Sequence, residues 1–153
     1  MQRSICATEP AGSESVAVVA MAADHPPNRS PTQALRRKSI LIVEDEPLVA
    51  LGVHAMLSSA GASIISAATT GEARQLITGA EVSAAIVDVQ LGAEDASQIC
   101  HLLHRCRIPF LFYTGHRNAP LLKEWPNVPV LSKPTSPQEL VCAIADMLDA
   151  SVT

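Results

Sequence analysis

Aromatic residues are nearly missing from this chain of 153 residues: one Trp, one Tyr and two Phe make up 3% of it. Aliphatic side chains must therefore build the core, and a hydrophobic content of 48% is enough for one domain. No apolar run approaches the roughly 18–20 residues that span a bilayer as a helix. The best secretory candidate, Val16 to Ala23, follows Glu9 and Glu14, with only Arg3 as positive charge. That is a poor n-region, so the expected location is cytoplasmic, with no membrane partner. The phosphate-cradling pattern GxxxxGKS/T is absent, which excludes a P-loop nucleotide hydrolase. The four cysteines (Cys6, Cys100, Cys106, Cys142) form neither a CxxC pair nor a zinc spacing. Cys100, Cys106 and Cys142 fall on apolar faces of predicted helices, and buried free thiols are expected there. A basic stripe is lacking too. Residues 1–38 carry a net +2 and the remainder −6, a poor match for nucleic acid and a better one for cations or basic protein surfaces.

What the chain does have is a rhythm that begins at Ser39. Residues 1–38 are rich in Ala, Ser, Pro and Thr and end in Arg36-Arg37-Lys38, which reads as a disordered extension. Met21 is an alternative start. From 39 to 150 a single domain is expected. Ile40-Leu41-Ile42-Val43 is a β-branched run followed by Glu44-Asp45-Glu46-Pro47, with proline suited to a first helical turn. Val49, Val53, Met56, Leu57 and Ala60 then mark one helical face, and Gly61 ends it. A strand is expected over Ser63 to Ala68. Thr69-x-x-Glu72 reads as a capping box for a helix with Ala73, Leu76, Ile77 and Ala80 inward and its end near Gly79.

Ala84-Ala85-Ile86-Val87 runs straight into Asp88, with a turn at Gly92, and reads as a strand buried on both faces. Asp95-x-x-Gln98 predicts the start of a third helix, with Ile99, Cys100, Leu102, Leu103 and Cys106 toward the core. Pro109 to Thr114 is a fourth strand closed by Gly115, followed by a short helix around Ala119 to Glu124. Val128 to Leu131 is a fifth strand, at an edge because of Pro129. Ser136-Pro137-Gln138-Glu139 is a capping box opening a last helix that carries Leu140 or Val141, Ile144, Met147 and Leu148.

Five strands alternating with five helices imply right-handed crossovers and a parallel sheet covered on both faces. The expected architecture is a flavodoxin-like (βα)5 sandwich of order 2-1-3-4-5, which places the first and third strands side by side at the switch point. Glu44, Asp45 and Asp88 would then share one pocket at the carboxyl ends of the strands. Alone, each signal has an ordinary reading. Glu44-Asp45-Glu46 reads equally as negative charge at a helix N-terminus, and Lys133-Pro134 and Thr114-Gly115 as common turns. All of them follow directly on predicted strands, and that combination points to a site.

Three close carboxylates repel one another by a few kcal/mol per pair at an effective dielectric of about 20. Such a cluster needs a cation, and hard oxygen ligands with room for water suit Mg²⁺. With Lys133 opposite, the pocket suits a phosphoryl group, which it would bind by positioning and charge neutralisation. Asp88 is then the candidate nucleophile, Lys133 the partner of one phosphoryl oxygen, and Thr114 a hydroxyl donor to another.

From Lys38 to about Leu148 the chain resembles a response-regulator receiver domain, with Glu44-Asp45, Asp88, Thr114 and Lys133-Pro134 in that family's order and strand context. The runs VEDEPLVAL, DVQLG and IPFLFYTGHR are similar to the single-domain FAT GUY receivers, whose signature is Phe-Ala-Thr-Gly, a hydrophobic residue and Tyr. The resemblance implies a phosphoacceptor protein of two-component signalling, with Mg²⁺ held by Glu44, Asp45, Asp88 and the Gln90 backbone carbonyl. It also implies phosphoryl transfer from a sensor histidine kinase, of the HWE/HisKA2 type, in alphaproteobacterial signalling. No output domain follows Thr153, so a stand-alone receiver is expected, self-catalysing its phosphorylation and dephosphorylation without being a conventional enzyme.

The departures from the signature are Tyr113 in place of Ala, and His116 and Arg117 in place of the hydrophobic residue and Tyr. Val130 stands three residues before Lys133, where most receivers carry a rotating aromatic, and Thr135 stands where Phe is usual. Tyr113 or the 115–124 segment is therefore expected to take over the readout, and Gln90 and His116 to tune dephosphorylation. Other roles considered are a phosphorelay intermediate, a phosphate sink and a phosphorylation-independent interaction module. A haloacid-dehalogenase-like hydrolase is disfavoured, because the second Asp it needs is Gln90 here. His101 and His104, three apart, read as a solvated helical face sooner than a metal pair, His54 as helix surface, and Trp125 as a loop anchor.

Overall fold

A computed structural model describes residues 33–152. A five-stranded parallel sheet runs through its middle in the order β2-β1-β3-β6-β7. The strands are β1 (Ser39–Val43), β2 (Ser63–Ala67), β3 (Ala84–Val87), β6 (Phe110–Thr114) and β7 (Val130–Ser132). Helices α1 (Pro47–Ser59), α2 (Thr70–Gly79), α3 (Ser97–Arg105), α4 (Pro120–Glu124) and α5 (Pro137–Val152) fill the crossovers and the end. This is the flavodoxin-like (βα)5 arrangement. One element was not foreseen: after β3, Gln90–Leu91 (β4) and Glu94–Asp95 (β5) pair antiparallel as a small two-stranded ribbon.

Strand alternation divides the core in two. Leu41, Val43, Ala85, Val87, Phe110 and Phe112 face the layer of α2, α3 and α4. Ile40, Ile42, Ala84, Ile86, Leu111 and Tyr113 face α1 and α5. The three inner strands are buried on both faces, as their continuous apolar runs require. Each fully buried Ile, Leu or Phe contributes about 1.5–3 kcal/mol of transfer free energy. Phe112, wholly buried and edge-on to Phe110 at 5.7 Å, is the largest such side chain.

Helix boundaries follow local chemistry. Thr69 Oγ1 accepts the Glu72 N–H at 3.1 Å, while the Glu72 carboxylate takes the N–H of Ala68 at 2.8 Å, one residue before the cap. Ser136 and Glu139 form the reciprocal box with Pro137 as first helical residue. The helix expected to start at Asp95-x-x-Gln98 begins at Ser97, and Asp95 and Gln98 do not cap each other. Ala96 is the cap residue and has no side-chain bond. Asp95 Oδ1 instead takes the Ser97 N–H at 3.0 Å, and Gln98 reaches Arg74 on α2. The ribbon draws Asp95 out of position.

Burial corrects several further expectations. Residues 1–32 of the expected extension lie outside the described residues, but Leu35 is wholly buried and its N–H donates to Ala60 O at 3.0 Å. Packed structure thus begins before Ser39. Of the three expected buried thiols, only Cys100 is buried; Cys106 and Cys142 are exposed. Cys106 is the C-cap of α3, past the last helical residue, and Cys142 lies on the outer side of α5. Ala80, expected inward, is likewise an exposed cap residue.

Candidate functional site

Four segments bring their polar side chains to the carboxyl edge of the sheet. β1 and β3 are neighbours, with Val43 opposite Val87, so Glu44 and Asp88 leave adjacent strands side by side. The Asp88 N–H donates to Val43 O at 3.0 Å and holds that register one residue further. Thr114 ends β6 and lies opposite Ser132 on β7, so Lys133 follows directly beside it. The Lys133 N–H donates to Thr114 O at 3.0 Å. The Lys133–Pro134 peptide is cis.

Carboxylate oxygens of Glu44, Asp45 and Asp88 all lie within 4.8 Å of one another. Glu44 and Asp88 are 5% and 7% exposed and Asp45 is half-buried. Lys133 Nζ sits against two of them, 2.6 Å from Glu44 Oε1 and 2.9 Å from Asp88 Oδ2, and 4.0 Å from Glu46 Oε1. Burial, the dominant influence, and the Asp88 charge raise the Glu44 carboxyl above its ordinary value, outweighing hydrogen bonds from Lys133 and the Glu46 N–H. Burial works to lower the Lys133 pKa, yet its bonds to Glu44 and Asp88 prevail and hold it above its ordinary value. The ammonium is therefore charged at neutral pH. One cation among three carboxylates leaves an excess of negative charge with little water to screen it.

This donor set fits a hard divalent cation. Three carboxylates of mixed exposure on one side, open to water at Asp45, match the oxygen chemistry of Mg²⁺, which keeps several waters. Gly92, at φ +64°, lies beside the cluster, 3.8 Å from Asp45 Oδ2 at the position a Cβ would take, an ordinary contact distance. The left-handed conformation also makes glycine the residue that adopts this turn without strain.

The remaining predicted residues are placed less directly. Gln90 has an exposed side chain and donates its N–H to Asp88 Oδ1 at 3.4 Å. His116 contributes its backbone: its N–H donates to Thr114 Oγ1 at 2.9 Å, while the residue is exposed. Tyr113, buried, faces α1 and α5, with Lys133 Nζ 5.7 Å from its ring centroid. It lines a groove of about 340 Å³ with Leu48, Met56, Lys133 and Pro134. Leu48 and Leu51 on α1 are exposed. Sequence reasoning missed Arg117 Nη1, which donates to Ser132 Oγ and ties the β6–α4 loop to β7. Nothing in a one-dimensional pattern pairs a loop residue with a strand residue fifteen positions away.

At the far end of β6, His101 and His104 are on the outside of α3 but not simply solvated. Their rings pack on Trp125 at 5.2 and 5.5 Å, and Phe110 meets the same indole at 5.5 Å. Trp125 is the C-cap of α4 and anchors that loop, as expected.

Comparison with known proteins agrees with this geometry. The response regulator receiver domain family matches residues 40–145. No functionally curated protein matches the chain. Among solved structures, a response regulator receiver protein from Sinorhizobium medicae WSM419 is 21% identical with a TM-score of 0.68, over 74% of this chain and 96% of that one. The signal receiver domain of an HD domain-containing protein from Pseudomonas fluorescens Pf-5 is 24% identical with a TM-score of 0.70, over 76% and 98%. A CheY-like receiver domain protein from Methanospirillum hungatei JF-1 is 23% identical with a TM-score of 0.66, over 75% and 96%. At these identities the likeness is one of fold, and the family match over residues 40–145 carries the assignment. With an acidic pocket, a lysine and a threonine meeting at the strand ends of such a fold, this chain belongs to the response regulator receiver domains, the phosphoacceptor modules of two-component signalling.

Proposed function

We propose that Asp88 is the phosphoacceptor, that Mg²⁺ is held by Glu44, Asp45, Asp88 and the Gln90 carbonyl, and that Lys133 and Thr114 contact the phosphoryl group. The observation that carries this is the placement of Asp88. It is nearly buried at the end of the third strand, 2.9 Å from Lys133 Nζ and within 4.8 Å of two further carboxylates. The donor is the phosphohistidine of a sensor kinase or phosphotransfer protein. An Asp88 oxygen forms the new O–P bond as the donor's P–N bond breaks, and the imidazole nitrogen leaves with the electron pair. Attack of water on the acyl phosphate later returns the carboxylate and inorganic phosphate.

Bound Mg²⁺ would supply neutralisation of the charge on the phosphoryl oxygens. The chain's own residues do the rest. Lys133 exchanges an Asp88 oxygen for a phosphoryl oxygen. The Thr114 hydroxyl oxygen is already engaged by the His116 N–H, which leaves its proton to donate. Gln90 and His116 flank the phosphoryl position and set the access of water to it, which tunes dephosphorylation more than phosphorylation.

The residues of the FAT GUY resemblance support a readout without the usual aromatic. Val130 leaves that position aliphatic, while Tyr113 lies against Lys133 on the α1 and α5 side. Movement of Lys133 toward a phosphoryl group would be felt by Tyr113 and by the groove it lines. The folded domain spans 39–150 together with the Leu35 turn, works in the cytoplasm, and signals by protein contact. An HWE/HisKA2-type kinase is the donor that the same resemblance favours.

Intact-mass analysis after incubation with a small phosphodonor, with and without Mg²⁺, tests this on the wild type and Asp88→Asn. The expected result is a single phosphoryl adduct that requires both Mg²⁺ and Asp88. An adduct that persists in Asp88→Asn would overturn the assignment.

A further inference from the structure

Thr114 is wholly buried, and two bonds bind it into the neighbouring loops. The His116 N–H donates to its Oγ1, and its carbonyl accepts from Lys133 N. The loop that supplies His116, residues 115–118, is exposed throughout. Among the described residues its one side-chain tie to another element is Arg117 Nη1 donating to Ser132 Oγ. Ser132 is the residue opposite Thr114 across β6 and β7 and directly precedes Lys133. A closed circuit results: Thr114 to His116, along the chain to Arg117, across to Ser132, and back through the strand pairing to Thr114 and Lys133.

Among the described residues Arg117 makes no ion pair, although the carboxylate cluster lies at the same edge of the sheet. Its guanidinium instead bonds a neutral hydroxyl, a choice of partner that fixes position and adds little charge pairing. The groups at issue are the hydroxyl of Thr114 and the backbone of His116, which must keep one orientation while the surrounding loop is in water. A hydroxyl has a single proton to donate. As long as the His116 N–H occupies one of its oxygen lone pairs, that proton is free to point away from the His116 amide.

We propose that Arg117 is a positioning residue of the phosphoacceptor site: its clamp on Ser132 holds the His116 N–H on Thr114 Oγ1 and so orients the Thr114 hydroxyl. This rests on the phosphoacceptor reading above and adds to it a residue that touches neither phosphoryl group nor metal. The clamp also sits at the β7 edge, where Val130 supplies no aromatic, and gives the β6–α4 loop a polar tether in that place.

Two measurements on the full chain test it. In the unphosphorylated protein, Arg117→Ala and Ser132→Ala should each move the His116 amide resonance in a nitrogen–proton correlation spectrum, in the same direction. Unmoved His116 amides in both variants would overturn the clamp, whatever the protein does with phosphate. In the phosphodonor assay each variant should slow adduct formation about two- to tenfold, the range of one lost hydrogen bond. The double variant should be no slower than either single one, and Arg117→Ala should have no further effect in a Thr114→Ala background. An equal Arg117→Ala effect with or without Thr114 would overturn the proposal, since the guanidinium would then act on the phosphoryl group directly. A wild-type protein that takes no adduct, with the amide shifts as expected, would instead overturn the phosphoacceptor reading and with it the clamp's role there.

Discussion

The two loops that face each other across Asp88 are built on opposite plans. The β1–α1 loop, Glu44-Asp45-Glu46, presents like charges within reach of one another and is anchored by a lysine from the far side of the sheet. The β6–α4 loop, Gly115 to Ala119, carries no charge pair among the described residues and is held by hydrogen bonds to neutral hydroxyls, from His116 to Thr114 and from Arg117 to Ser132. The first is a site of stored repulsion that a cation relieves. The second is a set of directional contacts to hydroxyl groups.

If that contrast is right, changes in the acidic loop should have the larger effect and should respond to Mg²⁺. Asp45→Asn removes a ligand candidate without altering its shape. Mg²⁺ affinity, followed by calorimetry, should fall more than about tenfold, since even the supporting partners of metal ligands are commonly worth 10–100-fold. An affinity within twofold of the wild type would remove Asp45 from the metal site.

Lys133→Met leaves Glu44 and Asp88 facing each other with no cation. Removing one partner of a buried ion pair costs about 3–5 kcal/mol. With the Lys133 side chain 17% exposed, roughly 2–3 kcal/mol is expected in urea unfolding without Mg²⁺. Millimolar Mg²⁺ should restore part of that loss. A loss indifferent to Mg²⁺ would mean that lysine and metal do not serve the same carboxylates.

At the C-terminal end of α4, Trp125 should tolerate a change of polarity but not of size. Its Nε1 is buried without a hydrogen-bond partner, so Trp125→Phe discards an unsatisfied donor and keeps most of the ring packing on Phe110 and the histidines. A stability change within about 1 kcal/mol is expected. Trp125→Ala should cost roughly 3 kcal/mol, the low end for such a truncation, because the residue is only partly buried. Equal costs for the two would place the indole N–H in a bond.

The smallest effect is a pH dependence remote from both loops. Bonds from the Ser136 backbone N–H and from the Ser136 and Thr135 hydroxyls hold the Glu139 carboxyl below its ordinary value. A depressed carboxylate contributes stability that is present above its unfolded pKa and is lost as pH falls through the folded value. Protection of the amides in the first turn of α5, measured against the intrinsic rate at each pH, should therefore fall as pH drops below about 4.3 in the wild type and show no such step in Glu139→Gln. Glu139 is fully exposed, so the step should be slight.

Much of this was legible from residues alone, for a physical reason that differs by region. Strand and helix positions follow from patterns of 2 and 3.6 residues, and the caps at Thr69 and Ser136 are bonds between residues three apart. The carboxylates could be placed together because a parallel sheet has one carboxyl edge and a fixed crossover hand. Asp95 shows the limit of that logic: its spacing to Gln98 is correct for a cap, but an unforeseen ribbon claimed it. Cys106 shows another, since an apolar face predicted from spacing does not tell where a helix stops being covered.

By itself, then, the sequence determined the α/β rhythm, the strand ends that carry Glu44, Asp45, Asp88, Thr114 and Lys133, and the absence of a basic face or a core rich in aromatics. These depend on local periodicity, turn chemistry and composition, which act over a few residues. Only the tertiary structure decided that Leu35 belongs to the core, that Tyr113 turns toward α1 and Lys133, that both histidines of α3 cover Trp125, and that Arg117 closes on Ser132. Those outcomes depend on which surfaces meet when distant segments pack, and contact across the fold has no period in the chain.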